Sequence, residues 1–227
     1  TIRKASGHFT AFDLVIDGFA SASPSSRSFV AFDEPQDGVE SGCDLIIDLT
    51  GGTPLFTGWE KRDGYLRADA EDSLRLKGLA AEAAEMIGDF EKPIYVDYDA
   101  DLCAHSRNSL NGCSRCLDVC PAGAITAAGD TVAIDPAICG GCGYCGAVCP
   151  SGAAQTVVPA ADMFGQQIAT MLDHYLEAGG KTPRLLLADE THGAQVIEMM
   201  ARFGSGLPAD MLPMTMHSVG RVGHDLL

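Results

Sequence analysis

The sequence predicts an α+β fold in which a cysteine-rich central unit with a pseudo-two-fold repeat is flanked by two small α/β segments. Three observations predict it. A cysteine run closed by Cys-Pro occurs twice, at Cys113, Cys116, Cys120, Pro121 and at Cys142, Cys145, Cys149, Pro150. Before it lie apolar runs of strand length and then an apolar stripe at helical spacing, ending near residue 90. After it, residues 184–219 read strand, helix, strand. These changes of pattern divide the chain into segments 1–92, 93–158 and 159–227.

In the first segment, residues 9–17 are apolar with polar breaks and run into Gly18, as a strand and its turn would. Residues 21–28 are a Ser/Pro loop, and residues 28–33 read as a second short strand. Residues 43–50 have a nearly continuous apolar centre, which suggests a third strand buried on both faces. Gly51 and Gly52 follow it without a GxGxxG or Gly-Lys-Ser/Thr pattern, so they read as a tight turn rather than a phosphate cradle. Residues 58–72 are polar and turn-rich around Trp59, which either anchors the loop to a core or lines a partner surface. Asp72 or Ser73 then offers an N-cap. From there Leu76, Leu79, Ala83, Met86, Ile87 and Phe90 fall on one helical stripe, which Lys92 and Pro93 end.

The central segment carries the chemistry. Cys139, Cys142, Cys145, Cys149 and Pro150 have the spacing C-x2-C-x2-C-x3-C-P. Three thiolates so spaced wrap one iron–sulfur cube, while the fourth points away to a second. Glycines within the run suit a backbone that must curl closely around a cluster. The upstream run, Cys113, Cys116, Cys120 and Pro121, has the same tail, with Cys103 as the nearest cysteine before it. An aspartate stands four residues ahead of the first cysteine in each half, Asp99 and Asp135, after a short β run. On these residues, 93–158 resemble the two-[4Fe-4S] bacterial-type ferredoxin domain.

The resemblance implies two [4Fe-4S] clusters with crossed ligation. Cluster one would sit on Cys103, Cys113, Cys116 and Cys149, and cluster two on Cys139, Cys142, Cys145 and Cys120. One departure is plain: nine residues separate Cys103 from Cys113, where the family has two. Cys103 is still assigned as a ligand; the other reading leaves cluster one on three cysteines. Tyr144, inside the second run, is expected to pack against a cluster. His105, Arg107 and Arg115 flank the first group and either raise its potential or offset local acidity.

In the last segment Pro159 opens a helix to about Ala178, with Met163, Ile168, Met171, Leu172 and Tyr175 as its apolar residues. The methionines read as core filler rather than metal ligands. Gly179 and Gly180 stop the helix. Residues 184–188 form a buried-type strand, 189–193 a turn, and 192–203 a helix with Val196, Ile197, Met200 and Phe203 inward. Residues 214–219 make a further strand, which suggests a right-handed βαβ unit in a parallel sheet. With no Met at position 1 and an ending where a helix would begin, the sequence reads as part of a longer protein.

Net charge is −16, divided as −8, −4 and −4 among the three segments, so the acidity is spread out. That argues against nucleic-acid binding, which needs a basic footprint. It suits a basic docking face on a redox partner, or simply keeps the surface solvated. No apolar run approaches the ~18 residues of a membrane span, and no basic-then-apolar signal opens the chain, so the protein reads as soluble and cytoplasmic. Of nine cysteines, eight fall in the two groups and Cys43 is left as an ordinary buried thiol. No Ser-His-Asp order, HExxH, Walker loop or dinucleotide fingerprint is visible, so the chain is expected to carry electrons rather than catalyse. From Cys43 onward it also resembles, more loosely, multi-cluster iron–sulfur proteins found with molybdenum-dependent formate dehydrogenases of proteobacteria. The matching phrases are CAHSR at 103–107, GCSRCLDVCP at 112–121 and ARFGSGLP at 201–208. This likeness implies relay of electrons to or from a larger oxidoreductase. The alternative is a zinc-stapled structural domain using the C-x2-C pairs Cys113/Cys116 and Cys139/Cys142.

Overall fold

The computed structural model describes residues 1–22, 31–58, 62–105 and 112–223. Helices and strands are mixed in the α+β manner, and the chain divides into two compact units, Thr1–Lys92 and Pro93–Leu227.

In the first unit, β1 (Ile2–His8), β2 (Ala11–Ile16) and β3 (Val39–Cys43) form an antiparallel sheet in that order. The strand expected over residues 9–17 is therefore β2, and β1 was not foreseen. It lacks apolar alternation and is held by pairing with β2 across a tight turn. At the base of that turn Gly7 has φ +90°, and a Cβ there would overlap the Ala11 carbonyl oxygen. The strand expected over 43–50 is split: β3 ends at Cys43 and β4 spans Ile46–Asp48. β4 pairs in parallel with β5 (Tyr65–Arg67), a strand hidden inside the turn-rich stretch. Ile46 and Asp48 are buried, but Ile47 is 45% exposed, so a two-stranded sheet is covered on one face and not two. Phe12, Ile46 and Tyr65 form the core, with Phe56 in ring contact with both Phe12 and Tyr65.

Residues 28–30 and Trp59 lie outside the described residues. Of the strand expected over 28–33, the described part contributes a single bridge, Ala22 to Phe32. Gly51 takes φ +66° in the expected turn. Helix α1 spans Ser73–Glu85, with the Asp72 carboxylate accepting from the Arg75 amide at 2.9 Å. It stops short of residue 90 because Phe90 turns away to pack edge-on against Phe9, at 5.3 Å between centroids. Ile87, expected on the inner stripe, is 82% exposed.

The second unit opens with β6 (Val96–Tyr98) and a 3-10 turn, Ala100–Leu102. Then come α2 (Arg115–Val119), β7 (Ile125–Ala128), β8 (Thr131–Ile134), α3 (Tyr144–Val148) and β9 (Ala154–Thr156). β6 pairs with β9 and β7 with β8, both antiparallel. Val96, Ile125, Val132, Cys145 and Ala154 make the core between them. Helix α4 (Ala161–Glu177) follows, then β10 (Arg184–Asp189), α5 (Gly193–Phe203), β11 (Met211–Met216) and a last 3-10 turn, Val219–Arg221. β10 and β11 pair in parallel, as the strand–helix–strand reading requires.

Two helix faces differ from expectation. On α4 the deeply buried residue is Phe164, whereas Met163 is half exposed. On α5, Val196, Met200 and Phe203 were expected inward but are exposed, Phe203 at 83%. A two-stranded sheet is too narrow to cover an eleven-residue helix.

The first unit is pinned by one buried carboxylate. Asp48 accepts from the Tyr65 hydroxyl at 2.6 Å, Arg67 Nε at 3.0 Å, and both the amide and hydroxyl of Thr50. Burial alone would raise its pKa; these donors outweigh burial and hold it at about 2. A carboxyl held below its ordinary value stabilises the fold above that value, and the contribution is lost as pH falls through about 2. Asp48→Asn should therefore lower stability at pH 7 by about 1–3 kcal/mol. In urea titrations the gap from the parent chain should narrow between pH 4 and pH 2; a gap independent of pH would contradict the assignment.

Candidate metal centre

The two cysteine groups are framed by the same local devices. In the first half the Asp99 carboxylate accepts from the Asp101 amide at 2.9 Å, starting the 3-10 turn that delivers Cys103. In the second half the Asp135 carboxylate accepts from the Ala137 amide at 2.9 Å, and the Asp135 carbonyl from the Cys139 amide at 3.0 Å. Next in each half comes a five-residue helix, α2 carrying Cys116 and α3 carrying Cys145. Cys120 and Cys149 stand at their C-terminal ends. A glycine with positive φ then turns the chain, Gly123 at +65° and Gly152 at +68°.

The halves are interlocked. The Asp99 amide donates to the Ala153 carbonyl at 2.8 Å, and the Asp135 amide to the Ala124 carbonyl at 2.8 Å. Each half's opening strand thus pairs with the strand that follows the other half's Cys-Pro. β9 carries Cys149 to the first half, and β7 leaves Cys120 beside the second.

The thiols follow that exchange. Cys103, Cys113, Cys116 and Cys149 line one cavity, together with Tyr98 and Ala153. Around the Cys145 thiol lie Cys142, Cys139 and Cys120, close enough for their charges to act on it. Burial, then the charges of those neighbours, push Cys145 up to about 12. Burial, then Cys113 and Cys103, push Cys116 up as well. Thiols packed this way oppose one another's ionisation, and a cationic centre bound among them would relieve it. Backbone amides are directed at sulfur at two positions. The Ala124 amide reaches Cys120 Sγ at 3.3 Å. At Cys149, burial works against ionisation, but the amides of Ala154, Ser151 and Ala153 and the Ser151 hydroxyl outweigh it. Among the described residues no three His, Cys, Asp or Glu side chains converge on a point as a single metal ion would need. An all-sulfur donor set surrounding a space, with amides directed at sulfur, fits an iron–sulfur group.

Cys103 is held in place despite the long loop that follows. The Cys113 amide donates to the Ala104 carbonyl at 3.2 Å, closing the loop at its base. His105 is buried, its amide 3.5 Å from Cys103 Sγ and its Nδ1 2.8 Å from the Cys113 carbonyl oxygen. Residues 106–111, and Arg107 with them, lie outside the described residues. Arg115 is exposed at the start of α2. The ring of Tyr144 lies against Gly220. Tyr98 was not singled out by the sequence. Its hydroxyl accepts from the Val132 amide at 3.2 Å, and burial, then a hydrogen bond with Cys103, push its pKa up. Its partners lie in other elements, so no local spacing marks it. Cys43, in the first unit, is half-buried beside Phe12 with its pKa pushed up by burial.

His105→Ala should free Cys103 from its tie to Cys113. The loss of about one hydrogen bond, ~1.5 kcal/mol, corresponds to roughly tenfold faster alkylation of Cys103. Mass mapping after brief exposure to a thiol reagent measures it; an unchanged rate would mean that His105 does not hold the loop base.

Residues 111–153 match the family model of the 4Fe-4S dicluster domain. The match begins at the end of the long loop, so it includes seven of the eight grouped cysteines and leaves out Cys103. No curated protein matches the chain. No helix among the described residues is long and apolar enough to cross a membrane. Residues 111–153 are accordingly an iron–sulfur, ferredoxin-type domain that binds [4Fe-4S].

Proposed function

We propose that the chain is an electron-transfer protein, or a subunit of one, that carries two [4Fe-4S] clusters with crossed ligation. Cluster one is held by Cys103, Cys113, Cys116 and Cys149, and cluster two by Cys139, Cys142, Cys145 and Cys120. The observation that carries this reading is the single cavity lined by three thiols of the first half and Cys149 of the second. It speaks against the zinc-stapled alternative, which would have Cys113/Cys116 meet Cys139/Cys142. The repeated aspartate turns, five-residue helices and glycine turns support a pseudo-two-fold relation between the halves.

Each cluster, when bound, takes up or gives up one electron. The protein's own contribution is positional. Val96, Ile125 and Val132 keep water from the core, amides direct partial positive charge at Cys120 and Cys149, and the paired strands hold both thiol groups within one small domain. On this reading the chain is a carrier and not itself an enzyme. The partner is a larger oxidoreductase, of the formate dehydrogenase type by the looser sequence resemblance, and the setting is cytoplasmic. A net charge of −16 suits docking on a basic face.

Anaerobically purified protein should contain about eight iron and eight sulfide per chain and bleach in the visible on reduction. Zinc without sulfide would overturn the reading. Co-purification with neighbouring subunits, followed by asking which of them reduces the chain, tests the partner.

A further inference from the structure

Beyond β11 the chain returns to the second cysteine run. His217 Nε2 lies 3.3 Å from the Gly140 carbonyl oxygen, and its Nδ1 3.0 Å from Glu190. Ser218 is buried and caps the 3-10 turn Val219–Arg221, its hydroxyl accepting from the Gly220 amide at 3.2 Å. Glycine is required on both sides of the contact that follows. A Cβ on Gly220 would fall 2.0 Å from the Tyr144 ring, and a Cβ on Gly143 would fall 2.5 Å from Arg221 Cβ. Gly143 stands between Cys142 and Cys145, so this turn is laid directly on the backbone that presents two of the thiols.

Arg221 has an unusual environment for a cation. It is 7% exposed. Its Nη2 donates to the Pro159 carbonyl at 2.6 Å and the Thr156 hydroxyl at 3.2 Å, and its guanidinium carbon lies 5.4 Å from the Phe164 ring centroid. All of these partners are neutral. Among the described residues no carboxylate pairs with it, and no acceptor meets Nε or Nη1. A buried charge is normally paired, because desolvation is otherwise uncompensated. The residue that carries this charge packs through its own Cβ against Gly143, in the run that presents Cys142 and Cys145.

We propose that Arg221 is a positioning residue for electron transfer, its buried positive charge raising the reduction potential of the cluster held by Cys139, Cys142, Cys145 and Cys120. This rests on the two-cluster reading above. A fixed cation stabilises the added electron, and burial keeps the interaction from being screened. The C-terminal segment thereby acts on electron transfer rather than serving only as a neighbouring fold.

The test is a redox titration, followed by electron paramagnetic resonance, of the full chain and of Arg221→Gln, Arg221→Met and Arg221→Lys. The signals are assigned by their loss in Cys145→Ser. The neutral variants should weaken reduction of the cluster that depends on Cys145 about tenfold, a shift of about 59 mV for one electron, and leave the other cluster unchanged. The lysine variant should restore most of the shift. Unchanged potentials at wild-type iron content, an equal shift with lysine, or a shift confined to the other cluster would each overturn the proposal. Failure of both neutral variants to hold that cluster would make Arg221 a scaffold and overturn it too. A parent chain without iron and sulfide would instead remove the two-cluster reading beneath it.

Discussion

The hydrogen bond from the Asp99 amide to the Ala153 carbonyl, with its counterpart from Asp135 to Ala124, is the constraint on which the cysteine-rich centre depends. Both bonds continue strand pairings, β6 with β9 and β7 with β8, that join the opening of one half to the close of the other. Had each half paired with itself, Cys149 would have stayed with Cys145 and Cys120 with Cys116. The exchange groups each Cys-Pro thiol with the cysteines of the other half, although it caps the helix of its own. It also leaves a shared core in which Val96, Ile125, Val132 and Ala154 pack against cysteines of both groups. A backbone pattern thus decides which sulfurs meet, and the side chains decide what they can hold.

What they can hold follows from electrostatics. Burial and mutual repulsion raise Cys145 and Cys116, while amide donors favour ionisation of Cys149. The Ala124 amide is directed at Cys120 Sγ. A cage of this kind is frustrated when empty of positive charge and satisfied when a cationic core sits among the sulfurs. The surrounding protein adds few cations of its own: residues 93–158 contain two arginines against six aspartates. That scarcity gives weight to the buried guanidinium supplied from outside the segment by Arg221.

Much of this centre was legible in the sequence because ligand spacing is local. Cys139, Cys142 and Cys145 lie within seven residues, and the paired aspartates and Cys-Pro endings advertise the repeat. What was not legible depends on partners distant in the chain. Tyr98 meets Val132 from 34 residues away, Asp48 meets Arg67 from 19, and Arg221 meets Thr156 from 65. β1 and β5 were hidden because pairing, and not their own apolar pattern, makes them strands. The apolar stripe of α5 is genuine as a pattern, yet the sheet beneath is too narrow to bury it. Periodicity reports what a face would bury, and only the width of the neighbouring layer decides whether it does.

The central claim is the exchange of the fourth thiol between halves, and paired substitutions test it most directly. Cys149→Ser and Cys120→Ser, each prepared without oxygen, can be compared by the two cluster signals after assigning them with Cys113→Ser and Cys142→Ser. The account predicts that Cys149→Ser damages the signal that depends on Cys113, and Cys120→Ser the signal that depends on Cys142. If each substitution instead removed the signal of its own half, crossed ligation would be contradicted.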